Sequence, residues 1–280
     1  MAELRTLISG FSFGEQPRWH EDRLWFSDWG TQEVIAVDLA GNAEVILRAP
    51  SFPCCVDWLP DGRLLFVSSR EGLLLRRELD GSSVTHGDLR GLSEPPAGNE
   101  LVVDSRGNAY INGGQVLGQD TATGIVAMVS PDGAAQQVAD GLAFPNGMLI
   151  MPDDQSVIVA ESYANRLTAF DIEEDGSLSN RRIWAELGDG VPDGICADAE
   201  NAVWYADVPN KRCSRVREGG EMLETIELDR GCFACALGGP DRSTLFMIAT
   251  EWNGPANMFR GPRTSQLLTA QAPAPGAGRP

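Results

Sequence analysis

A short pattern recurs six times along the chain: a polar turn containing Asp, Gly or Pro, and then a run rich in β-branched and aromatic residues. The six copies read "HEDRLWFSD", "PDGRLLFVSS", "DSRGNAYING", "PDDQSVIVAES", "DAENAVWYAD" and "PDRSTLFMIAT". Corresponding residues of the runs lie about 40 to 48 positions apart: Phe26, Phe66, Tyr110, Ile158, Trp204 and Phe246. A regular period of this length indicates a repeat architecture.

Each repeat also contains further strand-like segments, such as "EVIAVDL", "LLLRREL", "GIVAMVS" and "RLTAFDI". Turn pairs such as Asp80-Gly81 and Asp132-Gly133 separate these segments, and such pairs are typical of β-hairpins. No long amphipathic helical pattern competes with them. Several strands per repeat are typical of a propeller blade, so the sequence predicts an all-β fold, a six-bladed β-propeller. A β-sandwich with accidental internal similarity is the alternative.

The repeats predict one propeller domain over residues 1–265. The segment "ELRTLISG" precedes the first repeat and could supply an outer strand to the last blade, which would close the ring. The end of the chain, "TAQAPAPGAGRP", is rich in small residues, Pro and Gly. This composition predicts a disordered tail over residues 266–280.

The chain is strongly acidic, with 22 Lys and Arg against 40 Asp and Glu among its 280 residues and a net charge of −18. Phosphate backbones and anionic membranes would repel such a chain, so we expect neither a nucleic acid nor a membrane as a partner. The N-terminal segment lacks a basic region, and no stretch approaches about 20 apolar residues. The sequence therefore predicts a cytoplasmic protein.

Six cysteines are present, but the chain is long for a disulfide scaffold. Cys232 and Cys235 have the C-x-x-C spacing of half a zinc site, with no second pair or nearby His in the sequence to complete it. We therefore expect buried free thiols.

Four of the six repeats carry a side-chain oxygen just ahead of the predicted inner strand. These residues are Glu15, Asn99, Asn146 and Asp193. Equivalent positions of different blades converge on the axis of a propeller, so the four side chains should form a ring at the mouth of the central channel. Carboxylate and amide oxygens are typical ligands of a hard divalent cation. We expect Ca²⁺, with Zn²⁺, Mn²⁺ and Mg²⁺ as alternatives; Zn²⁺ is disfavoured because no His or thiolate occupies these four positions. The alternative to a metal site is four polar residues that only cap turns.

Three segments containing these residues resemble the gluconolactonase and regucalcin family, which includes senescence-marker and luciferin-regenerating-enzyme-like proteins. "GEQPRW" is similar to the family's GE-x-P-x-W, "FPNGMLIMPDD" to its SNG segment, and "VPDGICADAENAVWYAD" to its PDG-x-x-D segment. The likeness runs from about residue 10 to 260. It implies a six-bladed propeller with a divalent metal on its axis. It also implies Glu15, Asn146 and Asp193 as ligands, and Asn99 as a residue that approaches the metal or the substrate.

The sequence departs from the sugar-lactone members of this family at their R-x-N-D segment, which reads "AGNE" here. Ala97 replaces the Arg and Glu100 replaces the Asp, so a group able to bind sugar hydroxyls is missing. Apolar residues also lie near the ligand segments. The predicted substrate-binding residues are Asn99, Glu100, Phe52, Cys54, Phe144, Phe233 and Trp252. Together these features favour a hydrophobic lactone or ester over a sugar lactone.

Only two His residues are present, and the chain contains neither a G-x-S-x-G elbow nor a P-loop, which argues against a Ser-His-Asp hydrolase. The sequence instead predicts a metal-dependent lactonase-type hydrolase. Its cation would polarise the carbonyl group. The resemblance implies Asp193 as the general base, with Glu15 as the second catalytic carboxylate. Two alternatives remain: a metal-dependent isomerase or cyclase on the same site, and a binding propeller without catalysis.

Overall fold

The computed structural model describes residues 3–116, 118 and 122–278. Within these residues the chain forms 24 β-strands, arranged as six four-stranded antiparallel sheets. The first strands of neighbouring sheets contact one another around the centre of the molecule. The predicted all-β six-bladed propeller is therefore confirmed.

The first three blades each consist of four consecutive strands. Blade 1 contains β2 (Gly14–His20), β3 (Arg23–Asp28), β4 (Glu33–Val37) and β5 (Ala43–Arg48). Blade 2 contains β6 (Val56–Trp58), β7 (Leu64–Ser68), β8 (Leu73–Arg77) and β9 (Ser83–Asp88). Blade 3 contains β10 (Ala97–Val103), β11 (Ala109–Gly113), β12 (Gly124–Val129) and β13 (Ala135–Leu142).

The next two blades repeat this order, and the sixth combines both ends of the chain. Blade 4 contains β14 (Pro145–Ile150), β15 (Ser156–Glu161), β16 (Arg166–Ile172) and β17 (Leu178–Glu186). Blade 5 contains β18 (Pro192–Ala197), β19 (Val203–Asp207), β20 (Arg212–Val216) and β21 (Met222–Glu227). Blade 6 contains β22 (Gly231–Gly238), β23 (Thr244–Thr250), β24 (Ser265–Gln271) and β1 (Arg5–Phe11).

The ring is closed by pairing between the N-terminal and C-terminal strands. β1 runs antiparallel to β24, with Arg5 opposite Thr269 and Phe11 opposite Ser265. The N-terminal segment thus supplies the outer strand of the last blade, as the sequence predicted. Closure stabilises the propeller because separating the first and last blades would require breaking this ladder of hydrogen bonds.

The predicted disordered tail is wrong for residues 266–278. Residues up to Gln271 belong to β24, and the chain beyond it bonds to blades 5 and 6. Ala272 N donates to Ser243 O at 2.8 Å, and Gly276 N donates to Arg242 O at 2.8 Å. Composition did not predict the order of this segment because, beyond Gln271, it is held by backbone hydrogen bonds and by small buried side chains such as that of Ala272. The last two residues of the predicted tail lie outside the described residues.

The apolar side chains of the strands pack between neighbouring blades. Trp204, Tyr110, Phe26 and Phe246, which belong to four of the six sequence repeats, are fully buried there. All six cysteines are free and buried, as predicted. The described part of the chain contains no helix with the length and apolar character needed to cross a bilayer.

Candidate functional site

A cavity of about 650 Å³ opens among the innermost strands of the propeller. The side chains of Glu15, Asn99, Asn146 and Asp193 all line it, and they come from the inner strands of blades 1, 3, 4 and 5. The sequence periodicity predicted that these four oxygen-bearing residues would converge. The structure brings them together in one cavity.

Irregular pairing of the inner strands explains how these side chains reach the cavity. In β10 the ladder to β11 slips between Ala97 and Glu100, and Asn99 lies within that slip. The ladders of β14 and β18 slip at the equivalent place, and Asn146 and Asp193 lie within those slips. A β-bulge bends its strand and turns a side chain out of the regular alternation. The repeated bulges therefore aim the polar residues of several blades at a common point.

Hydrogen bonds join the polar residues of adjacent blades. Asn99 Nδ2 donates to Asn146 Oδ1 at 3.0 Å, and Asn146 Nδ2 lies 3.4 Å from Ser162 Oγ. Ser162 Oγ in turn donates to Pro192 O at 2.6 Å, next to Asp193. This chain of contacts links blades 3, 4 and 5, so the two amides and Asp193 have a fixed relative position.

Two glycines follow predicted ligands and allow the inner strands to approach closely. A Cβ atom on Gly147 would lie 2.4 Å from Asp193 O and 2.6 Å from Ile195 N. A Cβ atom on Gly194 would lie 2.7 Å from Ala234 Cα. Neighbouring backbone, which cannot move aside like a flexible side chain, occupies both positions. The Asn-Gly and Asp-Gly pairs in the sequence therefore serve close packing around the axis as well as local turn geometry.

We expect Gly147→Ala to destabilise the protein by about 1–3 kcal/mol, since the added methyl group must push β14 away from β18. The same movement should separate Asn146 from Asp193 and weaken divalent-cation binding. Urea unfolding and calcium titration calorimetry measure the two effects. Gly62→Ala is the comparison: Gly62 has a positive φ, unlike Gly147, so its substitution strains the backbone, but its Cβ would meet no atom within 4 Å and calcium affinity should not change. A Gly147→Ala protein with unchanged stability and affinity would contradict the close-packing account.

The two carboxyl groups of the cavity lie in an unfavourable environment for negative charge. Glu15 and Asp193 are only 8% and 9% exposed. Burial raises the pKa of Glu15 well above its usual range, and the charges of Asp193 and Glu100 raise it further. Burial and Glu100 likewise raise the pKa of Asp193. Two neighbouring carboxylates can both ionise here only if a positive charge compensates them.

The residues present fit a divalent cation. Among the described residues that line the cavity there is no Lys or Arg, and Asp193 Oδ1 is buried without a hydrogen-bond partner. An oxygen in this position lacks the compensation that buried polar groups normally have. Two carboxylates and two amide carbonyl oxygens form a donor set suited to Ca²⁺, with water completing the coordination.

Aromatic side chains form most of the remaining wall. Phe52, Phe144, Phe233 and Trp252 were predicted to contact substrate, and all four line the cavity. The wall also contains four aromatic residues that were not predicted from the sequence: Phe13, Trp29, Tyr163 and Phe259.

The aromatic residues pack against one another rather than standing singly. The rings of Phe13 and Phe233 lie 4.7 Å apart, and Phe144 stacks on Tyr163 at 4.6 Å. Such pairs are rigid apolar surfaces. Phe13 stands two residues before Glu15 in the sequence, a nearness that could have indicated its role.

Glu100, a predicted substrate-binding residue, does not line the cavity. Its carboxylate lies 2.6 Å from Arg18 Nη2, and both side chains are buried. Arg18 Nη2 also donates to Leu101 O at 2.8 Å. Burial raises the pKa of Glu100 to about 7, although the Arg18 charge lowers it. The sequence prediction failed because alternation about the bulge directs Asn99 and Glu100 to different sides of β10.

Cys54, also predicted to bind substrate, packs in the core between blades 1 and 2. Its side chain does not line the cavity; its carbonyl oxygen accepts a hydrogen bond from Trp29 Nε1 at 3.0 Å. Burial raises the pKa of the thiol to about 12, which makes it a poor nucleophile at neutral pH. Cys54 therefore contacts the aromatic wall through its backbone, by the hydrogen bond from Trp29.

Ala97, where sugar-lactone relatives carry Arg, is fully buried in the core between blades 2 and 3. An Arg at this position of the present backbone would lie among Leu65, Val67 and Leu101 rather than in the cavity. The departure from the family pattern remains, but Ala97 does not line the cavity, so the polarity of the cavity depends on its aromatic wall.

Among curated relatives, 6-deoxy-6-sulfogluconolactonase of Pseudomonas putida is 26% identical over 290 residues, covering 95% of this chain and 94% of that protein. Regucalcin of Xenopus laevis is 30% identical over 125 residues, so the alignment covers 42% of each chain. A solved structure of regucalcin from Agrobacterium tumefaciens, described as a calcium-binding protein, superposes with a TM-score of 0.77. That structure is 19% identical, and the match covers 98% of this chain and 97% of the other.

The family model for the SMP-30/gluconolactonase/LRE-like region matches residues 13–251, which include every strand from β2 to β23 and all four predicted ligands. This match covers most of the chain. The resemblance predicted from the three sequence segments is therefore confirmed: the chain belongs to the SMP-30/gluconolactonase/LRE-like family.

Proposed function

We propose that this protein is a divalent-cation-dependent hydrolase of lactones or related esters. The observation that carries the proposal is that two buried carboxyl groups, Glu15 and Asp193, line one cavity together with two amides and a largely aromatic wall. A cation would neutralise the carboxylates, and the aromatic walls would hold an uncharged ring beside them. The name of the Pseudomonas putida relative, a lactonase, supports the same reaction class.

Glu15, Asn99, Asn146 and Asp193 are the residues that would hold the cation. When bound, the cation supplies Lewis-acid chemistry, stabilising negative charge that develops on the carbonyl oxygen. Ca²⁺ fits an all-oxygen donor set of this kind, and the word calcium-binding in the description of the Agrobacterium structure is consistent with it.

Asp193 would be the general base. One oxygen of its carboxylate, the unpartnered Oδ1, would bind the cation, and the other oxygen would take a proton from an attacking water. The water oxygen bonds to the carbonyl carbon, and the ring C–O bond then breaks. Asp193 returns the proton to the departing alcohol oxygen, giving a hydroxy acid. Glu15 is the second candidate for the base.

The walls of the cavity favour an apolar substrate. One group of lining rings consists of Phe13, Phe233 and Trp252. A second group is the stacked pair of Phe144 and Tyr163. These rings would bind alkyl or aryl groups and exclude bulk water from the reacting carbonyl. They offer few partners for the hydroxyl groups of a sugar ring.

We expect kcat/KM for γ-nonalactone to exceed that for δ-gluconolactone by about tenfold or more, a difference of about 1.4 kcal/mol. Each buried methylene gains about 0.8 kcal/mol, whereas each unpaired sugar hydroxyl costs about 1–3 kcal/mol. Steady-state hydrolysis of both lactones at equal calcium concentration measures the ratio. Phe259→Ala should narrow it, because Phe259 lines the cavity and is 42% exposed, so its loss leaves the core intact. Equal or faster turnover of gluconolactone would contradict the apolar preference.

A panel of alkyl, aryl and sugar lactones, assayed with and without calcium, tests the reaction class. Calcium-dependent formation of hydroxy acids supports the proposal. If metal is bound and no lactone is opened, a non-hydrolytic reaction on the same site, such as isomerisation or cyclisation, becomes the better account. If chelation lowers thermal stability and no substrate is transformed, the metal is structural and the protein is a binding propeller.

A further inference from the structure

A second cavity of about 460 Å³ adjoins the aromatic one. The two share Phe52, Pro53, Asn99, Gln115 and Phe144 as lining residues. They therefore border each other at Asn99, one of the proposed cation ligands. A substrate whose carbonyl group lies beside that ligand could extend into either space.

The adjoining cavity is lined by one positively charged side chain. Among the described residues that line either cavity, Arg70 is the single Lys or Arg. Its guanidinium group is exposed and forms no ion pair with any described carboxylate. The nearest carboxylate in sequence, Glu71, is held by hydroxyl groups instead: Ser51 Oγ donates to Glu71 Oε2 at 2.6 Å, and Ser68 Oγ donates to the same atom at 2.5 Å. Arg70 thus keeps its donors available for a ligand.

The backbone that carries Arg70 is fixed by several hydrogen bonds. Arg70 N donates to Ser51 Oγ at 3.1 Å. The hydroxyl of the preceding residue, Ser69, lies 2.7 Å from Pro53 O and 3.0 Å from Gly98 O. These contacts attach the turn between β7 and β8 to the strand that contains Asn99. The origin of the Arg70 side chain is therefore held at a constant position relative to the proposed catalytic centre.

We propose that Arg70 is a specificity-determining residue that binds an anionic group at the far end of the substrate. The inference rests on the proposed function and narrows its substrate class to lactones with an apolar body and a carboxylate, sulfonate or similar anion. Guanidinium groups bind such anions through two parallel hydrogen bonds. In a chain with a net charge of −18, an acidic substrate would be repelled unless a local cation received it.

Two lactones of equal carbon number test the assignment: γ-heptalactone, whose side chain ends in a methyl group, and the γ-lactone of 4-hydroxyheptanedioic acid, whose side chain ends in a carboxylate. The measured quantity is the ratio of their kcat/KM values, carboxylate over methyl. We expect Arg70→Ala to lower this ratio about tenfold, as loss of a charge-assisted contact should. Arg70→Lys should lower the ratio less than Arg70→Ala does, and high salt should lower the ratio of the unmodified protein.

Arg5→Ala is the matched control, because it removes the same charge from a side chain that is 73% exposed and lines neither cavity. Its ratio should equal that of the unmodified protein. An unchanged ratio in Arg70→Ala, or an equal fall in both variants, would overturn the assignment.

Calorimetry tests the anion site independently of lactone hydrolysis. If neither lactone is opened, the hydroxy acids 4-hydroxyheptanedioate and 4-hydroxyheptanoate are titrated into the calcium-loaded protein. Weaker binding of the dianion alone by Arg70→Ala would support the anion site without the lactonase. Equal binding of both acids by both proteins would reject the anion site as well.

Discussion

Asp193→Asn should lower kcat/KM for lactone hydrolysis by at least about 100-fold, the lower range of what a general base contributes. Asn has nearly the same shape as Asp but cannot accept the proton from water. Its amide can still offer an oxygen to the cation, so binding of the cation should weaken less than turnover. Initial rates at saturating calcium, with the metal content of each sample measured, separate the two effects.

Two further variants make this result specific. Glu15→Gln should weaken cation binding, and saturating calcium should restore more of its activity than that of Asp193→Asn. Glu218→Gln removes an exposed carboxylate from the turn between β20 and β21, and it should change neither cation binding nor the rate of hydrolysis. Full turnover by the calcium-loaded Asp193→Asn protein would show that Asp193 is not the base.

Removal of the cation should lower stability, and the loss should grow as pH rises. Calcium at about 100 times its dissociation constant stabilises a folded protein by about 2.7 kcal/mol. In the metal-free protein, burial and the charges of nearby carboxylates raise the pKa values of Glu15 and Asp193. The folded state then holds protons that the unfolded chain has already released, so this contribution to stability is present at low pH and is lost as pH rises.

Thermal melting at pH 5.5 and pH 8, with chelator and with calcium, measures this dependence. Calcium should raise Tm more at pH 8, where fewer protons compete for the carboxylates. The double variant Glu15→Gln with Asp193→Asn should lose most of the difference between the two pH values. An equal calcium shift at both pH values would contradict the assignment of these carboxyl groups to the cation.

The sequence predicted the fold and the convergence of the polar residues because both follow from the repeat. Matched positions in several blades necessarily meet near the axis, so Glu15, Asn99, Asn146 and Asp193 could be grouped without knowing any contact. The outer strand from the N-terminus was predictable for the same reason, since blade 6 otherwise lacks a fourth strand.

The remaining errors concern the direction of single side chains and weak tertiary contacts. Glu100 and Cys54 are close in sequence to cavity residues, yet the path of the inner strands turns them into buried surroundings. Ala97 faces a core that no motif comparison reveals. The ordered segment 266–278 depends on partners in distant parts of the chain, such as Ser243 and Arg242. Periodicity contains no information about these individual packing choices.

One measurement tests the central claim most directly: hydrolysis of γ-nonalactone during titration of the chelator-treated protein with calcium. The proposed site predicts negligible hydrolysis without calcium, and a rate that rises to a plateau as about one equivalent binds to the cavity of Glu15, Asn99, Asn146 and Asp193. Hydrolysis that is undiminished in the metal-free protein, or that stays absent with one calcium bound, would contradict a cation-dependent lactonase.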